Sequence, residues 1–187
     1  MKILKWIGIV LAVLLLLGYF VGMPYLREQT KKHSPERSAT YSAAGIDLEV
    51  NYCSPSKKGR EIFGGLVPYN QVWRTGANEP TTFSTSKDIH VGGEPLPAGT
   101  YSLWTIPGPE AWTVILNKEV PDWGVTLASG GTKTTRDPDA DVLQVAVPAL
   151  RLPAPVEEFT ISFELVRSEI FMALAWDRTQ VLVNVNP

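Results

Sequence analysis

From Trp6 to Met23 the chain has no charged residue, and Ile, Val, Leu, Ala and Gly fill most positions. Eighteen residues at about 1.5 Å rise make a helix of about 27 Å, close to the roughly 30 Å of a bilayer's hydrocarbon core. Trp6, Tyr19 and Phe20 stand toward its ends, as interfacial aromatics do. The pattern then turns polar, and no comparable apolar run recurs. The segment reads as a membrane pass, a secretory signal cleaved near Gly22 or Met23, or a hydrophobic helix packed within a protein. A cleaved signal has an apolar core of roughly 7–15 residues and a small-x-small site. Val21 and Met23 match that site poorly and Pro24 follows at once, so a retained signal-anchor over residues 1–26 is expected.

Residues 27–45 are polar, contain Pro35, and read as a tether. From residue 46 the period becomes two. Ile46, Leu48, Val50 and Tyr52 alternate with Asp47, Glu49 and Asn51, the signature of a half-buried strand. Further strands are expected at 82–85, 89–91, 100–106, 112–117, 123–128, 142–147, 157–166, 170–176 and 180–185. Gly92-Gly93, Pro97-Ala98-Gly99 and Pro107-Gly108-Pro109 mark turns between them, and 129–139 reads as a loop. Both faces of 100–106 are apolar, so that strand should be central and covered on both sides. Short strands separated by turn residues predict an all-β fold: an antiparallel β-sandwich or jelly-roll-like domain over 46–187, behind one N-terminal transmembrane helix.

Charge changes the list of partners. All nineteen acidic residues and fifteen of the seventeen basic ones follow Met23, so the part beyond the apolar segment has a net charge of −4. Nucleic acid is therefore not an expected partner, since phosphate binding needs a basic face. The membrane, through the N-terminal helix, is. Lys2 and Lys5 on one side nearly balance Arg27, Lys31 and Lys32 on the other, so orientation is weakly marked. The domain is placed outside the cytoplasm because export is the usual fate of such a leader. Cys53 is the only cysteine, so no intrachain disulfide is possible.

Several blocks occur in order. They are Gly59-Arg60, Ile62-Phe63-Gly64, Leu66-Val67-Pro68-Tyr69 and Trp73-Arg74-Thr75-Gly76-Ala77-Asn78-Glu79. Downstream come Leu96-Pro97-Ala98-Gly99-Thr100-Tyr101-Ser102-Leu103, Ile106-Pro107, Trp112 to Asn117, Trp123-Gly124 and Trp176-Asp177. On these blocks residues 46–185 resemble the bacterial family catalogued as domain of unknown function 2911. The resemblance implies export and a mainly β domain, and it transfers no activity and no catalytic residue. The chain departs from the family in having Cys53-Ser54 where members often have Ser-Arg, and in a leader that looks uncleaved.

Candidate chemistry is sparse. Asn78-Glu79-Pro80 has the residues that surround the acid/base carboxylate of many barrel glycosidases, but the chain is too short for an (α/β)8 barrel. His33 falls in the tether, and His90 in a short strand beside a Gly-Gly turn. No Gly-x-Ser-x-Gly elbow is present, and Cys53 reads as a small core residue. Asp137, Asp139 and Asp141 alternate like calcium-loop ligands but lack the following Gly and the distal Glu, so a solvated acidic loop is expected. No metal and no cofactor are expected.

What remains is a polar-aromatic set: Arg60, Tyr69, Trp73, Arg74, Asn78 and Glu79. Arg supplies a planar fork for carboxylate or phosphate, and Trp and Tyr supply flat faces for a ring. Either the set lines a ligand pocket, or Glu79 pairs with Arg74 or Arg60 and pins a loop over a buried Trp73. Three functions follow from these alternatives: an envelope binding module, a structural envelope module, or a carboxylate-dependent hydrolase of envelope glycans or peptides that uses Glu79.

Overall fold

The computed structural model describes residues 2–43, 45–126 and 129–187. It divides into two compact units, Met1–His33 and Ser34–Pro187.

The first unit is helical. α1 (Lys2–Leu17) passes through a π-helical turn (Gly18–Gly22) into α2 (Met23–Lys31). Pro24 has no N–H to return to Phe20, and at this step the Met23 N–H reaches back five residues to the Gly18 carbonyl. The helical run Lys5–Lys31 is long and apolar enough to cross a membrane, and none of its most apolar stretch is buried. The helix thus continues past residue 26, where the apolar pattern fades.

The second unit is an antiparallel β-sandwich. Its nine strands, counted among the described residues, are β1 (Glu36–Ala43), β2 (Ile46–Cys53), β3 (Thr81–Thr85), β4 (Ile89–Val91), β5 (Glu94–Leu96), β6 (Gly99–Ile106), β7 (Ala111–Asn117), β8 (Asp141–Val166) and β9 (Glu169–Asn186). Their order is β1-β2-β3-β6-β7-β8-β9-β4-β5. β8 belongs to both layers. Its start registers with β7 (Leu143 opposite Leu116, Pro148 opposite Ala111), and from Ala149 onward it registers with β9. The register shifts twice, between Arg151 and Val156 and between Val156 and Thr160. Pro153 and Pro155 sit in that bend, where a missing N–H interrupts no ladder.

The expected tether is largely structured. α2 takes its beginning and β1 takes residues 36–43, paired with β2 along its whole length (Glu36 opposite Cys53, Ala43 opposite Ile46). Only Ala39 and Tyr41 of β1 pack against the core, so its apolar alternation is too thin to read. The expected strand at 123–128 does not form over the described residues. Val125 makes one bridge, to Thr134, and residues 127 and 128 lie outside the described residues.

Alternate residues of β2, β6, β7 and β9 enter one core, from Leu48 and Val50 through Leu103, Val114 and Leu116 to Met172, Leu174 and Val183. At one end lies a group of aromatic rings. Trp73 stacks on Trp176 (6.0 Å, 16°) and meets Phe159, Phe63 and Trp112 edge-on at 5.0–6.1 Å. The outer face of β6 is covered too. Leu103 and Trp104 point to opposite faces and both are fully buried, as the apolar character of both faces requires.

Candidate functional site

The described parts of the connection from β7 to β8, residues 118–126 and 129–140, fold back over the outer face of the first layer. Three bonds fasten it: Ser102 Oγ to the Glu119 carbonyl (2.5 Å), Asn117 Nδ2 to the Asp137 carbonyl (2.6 Å), and the Gly124 N–H to the Asn78 carbonyl (3.1 Å). Cys53 points to this outer face at the end of β2, yet it is buried.

The backbone of 75–78 explains what gathers here. Thr75, Gly76 and Asn78 all have positive φ (56°, 150° and 58°), so the chain coils tightly after Trp73. Asn tolerates this conformation better than most residues. Gly76 admits no side chain, because a Cβ there would stand 2.9 Å from the Cys53 carbonyl. The coil sends Trp73 into the core, where its indole N–H donates to the Gly76 carbonyl (3.1 Å). It sends Arg74, Asn78 and Glu79 to the outer face beside Cys53.

Arg74 is half-buried beneath the covering loop. A Cβ on Gly124 would lie 2.4 Å from Arg74 Cδ and 3.0 Å from the Asn78 carbonyl oxygen, so the loop backbone lies directly on the arginine stem. Arg74 Nε is buried with no hydrogen-bond partner, and among the described residues no carboxylate pairs with the guanidinium. Burial holds its pKa below the ordinary arginine value, opposed by the neighbouring Cys53. The expected Arg74–Glu79 pair is therefore absent. Glu79 instead accepts from the Cys53 thiol, with Sγ 3.5 Å from Oε2. Burial first, and then the charges of Glu79 and Glu36, push that thiol up to about 11, against the opposing effect of the Asn78 amide. At neutral pH Cys53 is a neutral donor, not a thiolate nucleophile.

Beside this corner opens a cleft of about 500 Å³ over the outer face of β1–β3. Its lining includes Glu36, Ser38, Asn51, Cys53, Glu79 and Thr82. Two carboxylates thus share one cleft, a juxtaposition hidden in the sequence because β1 was not legible there.

The rest of the polar-aromatic set lies apart. Arg60 is exposed and turns back on its own loop, donating from Nε to the Lys57 carbonyl (3.0 Å) and from Nη2 to the Ser56 carbonyl (2.6 Å). It does not pair with Glu79. Tyr69 lies over Gly64, where a Cβ would come within 2.9 Å of its ring. Among the described residues no hydrogen bond or ring contact joins Arg60 or Tyr69 to Arg74. Of the six, the structure brings together Arg74, Asn78 and Glu79, and it adds Cys53, Gly124 and Glu36.

The aspartate run is committed to structure. Asp137 caps the short helical turn Pro138–Ala140 through the Asp139 N–H (3.0 Å). Asp141 forms an ion pair with Arg136 and accepts from Asn117 (2.8 Å) and Gln144 (2.8 Å). Among the described residues no group of three or more His, Cys, Asp or Glu is arranged to hold a metal ion.

Residues 34–185 match the family model described as protein of unknown function, DUF2911. The chain belongs to the DUF2911 family. No curated protein and no solved structure matches it. The match starts at the first residue of the β unit, so β1 lies within the DUF2911 domain. Two of the blocks quoted for the family, Trp73 to Glu79 and Trp123-Gly124, meet in this DUF2911 protein where Gly124 lies on Arg74. A third, Trp176-Asp177, stacks its indole on Trp73 and pairs its carboxylate with Lys57 (2.7 Å).

Proposed function

We propose that this DUF2911 protein is a single-pass membrane protein whose β-sandwich stands outside the cytoplasm and acts as a binding module of the cell envelope. Its ligand contacts lie at the corner formed by Arg74, Asn78 and Glu79. One observation carries this reading: among the described residues the half-buried Arg74 has no acidic partner, whereas Arg37, Lys57 and Arg136 are each paired with a carboxylate. A half-buried guanidinium left uncompensated is a poor structural device, because its desolvation is offset by nothing within the chain. Function often keeps a residue at a cost in stability.

Arg74→Ala tests this directly. Removing one member of a buried ion pair costs roughly 3–5 kcal/mol. Removing an unpaired guanidinium should change stability by less than about 1 kcal/mol, the lost stem packing being balanced by relief of desolvation. A large drop in melting temperature for Arg74→Ala would make the residue structural and end this reading. The membrane claim is tested by mass spectrometry of the membrane fraction, where an intact N-terminus is expected and a mature one between Gly22 and Arg27 would defeat it.

A second reading, a carboxylate-dependent hydrolase of envelope glycans or peptides, draws on Glu36 and Glu79 lining one cleft. It requires that Glu36→Gln and Glu79→Gln each abolish a hydrolysis that the unaltered protein performs.

A further inference from the structure

We infer that the Arg74 corner is a seat for a monocarboxylate, held on the free edge of the guanidinium under the Gly124 loop. The inference rests on the binding-module reading and names the class of its ligand. Three observations carry it.

The first is charge. The ionisable group that acts on Arg74 is the Cys53 thiol, and burial together with two neighbouring carboxylates keeps that thiol protonated. Among the described residues the guanidinium thus carries a positive charge that no carboxylate pairs with, Glu79 being turned to the Cys53 thiol. A monoanion neutralises it. A phosphate dianion would need a second cation, and the net charge of −4 beyond the apolar segment disfavours polyanions in general.

The second is geometry. Arg74 Nε is shut off from solvent without a partner, while the residue as a whole stays partly open. Unlike Nε, the two Nη nitrogens are not both buried and unpaired, and they form the edge offered to a ligand. Two parallel N–H groups on a planar head match the two oxygens of a carboxylate, giving a bidentate, charge-assisted pair.

The third is rigidity. The Gly124 backbone rests on Arg74 Cδ so closely that no Cβ fits, and the Gly124 N–H is tied to the Asn78 carbonyl. Asn78 is itself held in the left-handed region at φ 58°. The arginine is held in place before any ligand arrives, so little ordering is needed on binding.

The test uses the full chain in detergent micelles with ¹⁵N-labelled arginine. The Arg74 Nε–H cross-peak, sheltered from exchange by burial, is assigned by its contact with Gly124. Sodium acetate, sodium phosphate and sodium chloride are titrated at matched ionic strength. Acetate should move the Arg74 cross-peak saturably and leave that of Arg60 in place, with chloride inert. Arg74→Lys, which keeps the charge and loses the fork, should weaken the acetate midpoint by roughly tenfold or more, read for both proteins from the Gly124 amide in uniformly ¹⁵N-labelled samples. A cross-peak that follows phosphate but not acetate would overturn the monocarboxylate class and leave the corner as a ligand site. A cross-peak that follows neither anion overturns the inference, while the binding-module reading is judged separately by the melting temperature of Arg74→Ala.

Discussion

The Cys53 thiol points at the Glu79 carboxylate, Sγ 3.5 Å from Oε2, on the covered outer face of the first sheet. The contact exists because β2 ends there and the coil at 75–78 brings Glu79 round. It keeps the sulfur protonated and the carboxylate bonded.

The first prediction concerns alkali. The folded pKa of Cys53 is raised to about 11, so its contribution to stability is fully present below the ordinary thiol pKa and is lost as pH rises through about 11. The loss should be on the order of 2 kcal/mol, about two pKa units of differential interaction. Cys53→Ser keeps a donor for Glu79 and does not titrate. Denaturant midpoints between pH 8 and 11 should fall more steeply for the unaltered protein than for Cys53→Ser. Parallel slopes would show that the thiol is not buried as described. Iodoacetamide at pH 8 should label Cys53 only after unfolding.

Acid acts on the other side of the covering loop. Burial pushes Asp141 up, but the bonds from Arg136 and Asn117 outweigh it and leave the carboxyl below its ordinary value. A depressed carboxylate stabilises the fold above its unfolded pKa, and that contribution disappears as pH falls through the folded value. Asp141→Ala should cost about 3–5 kcal/mol at pH 7, because Arg136 is left unpaired in a site only 10 % exposed. The difference between Asp141→Ala and the unaltered protein should shrink in acid. A difference independent of pH would refute the assignment.

Gly124→Ala should destabilise by roughly 1–3 kcal/mol, the usual range for overpacking. The new methyl would meet Arg74 Cδ at 2.4 Å. Combining it with Arg74→Ala should recover part of the loss and not all, since the Asn78 carbonyl stays 3.0 Å away. Strict additivity in this double-mutant cycle would mean that the two residues do not touch.

Trp73 is the ring that the other aromatics share. Trp73→Ala should cost about 3–5 kcal/mol by cavity formation. Trp73→Phe should cost less, losing the N–H bond to Gly76 along with part of the stack on Trp176. Equal losses in the two variants would show that the bond matters more than the packing.

The sandwich was largely legible because period-two runs report burial directly. β4 lies where Ile89-His90-Val91 predicted it, and the β6–β7 hairpin differs from expectation by one residue at each start. Two features were hidden. β1 has only Ala39 and Tyr41 turned to the core, so its pattern is that of a polar segment. β8 and β9 each read as two strands, because Pro148, Pro153 and Pro155 in one and Asp177-Arg178 in the other look like breaks. The structure absorbs Pro153 and Pro155 in register shifts, keeps Pro148 in the ladder opposite Ala111, and keeps Asp177 in the ladder at φ 50°.

The candidate site was legible only in part. A separation of five residues makes an Arg74–Glu79 pair look natural, but the left-handed residues between them point the two side chains at different neighbours. Arg60 and Tyr69 are near in sequence and serve other loops. Glu36 and Gly124 come from distant segments whose pairing no local pattern reports.

Because β8 runs through both layers, neither layer can be melted while the other stays whole. Releasing β7 bares the start of β8, and releasing β9 strips its end. Hydrogen exchange should therefore find one slow class of amides across Val114, Val145 and Leu174 instead of a stable sheet and a labile one. Such all-or-none opening leaves a protease few partly open states to cut.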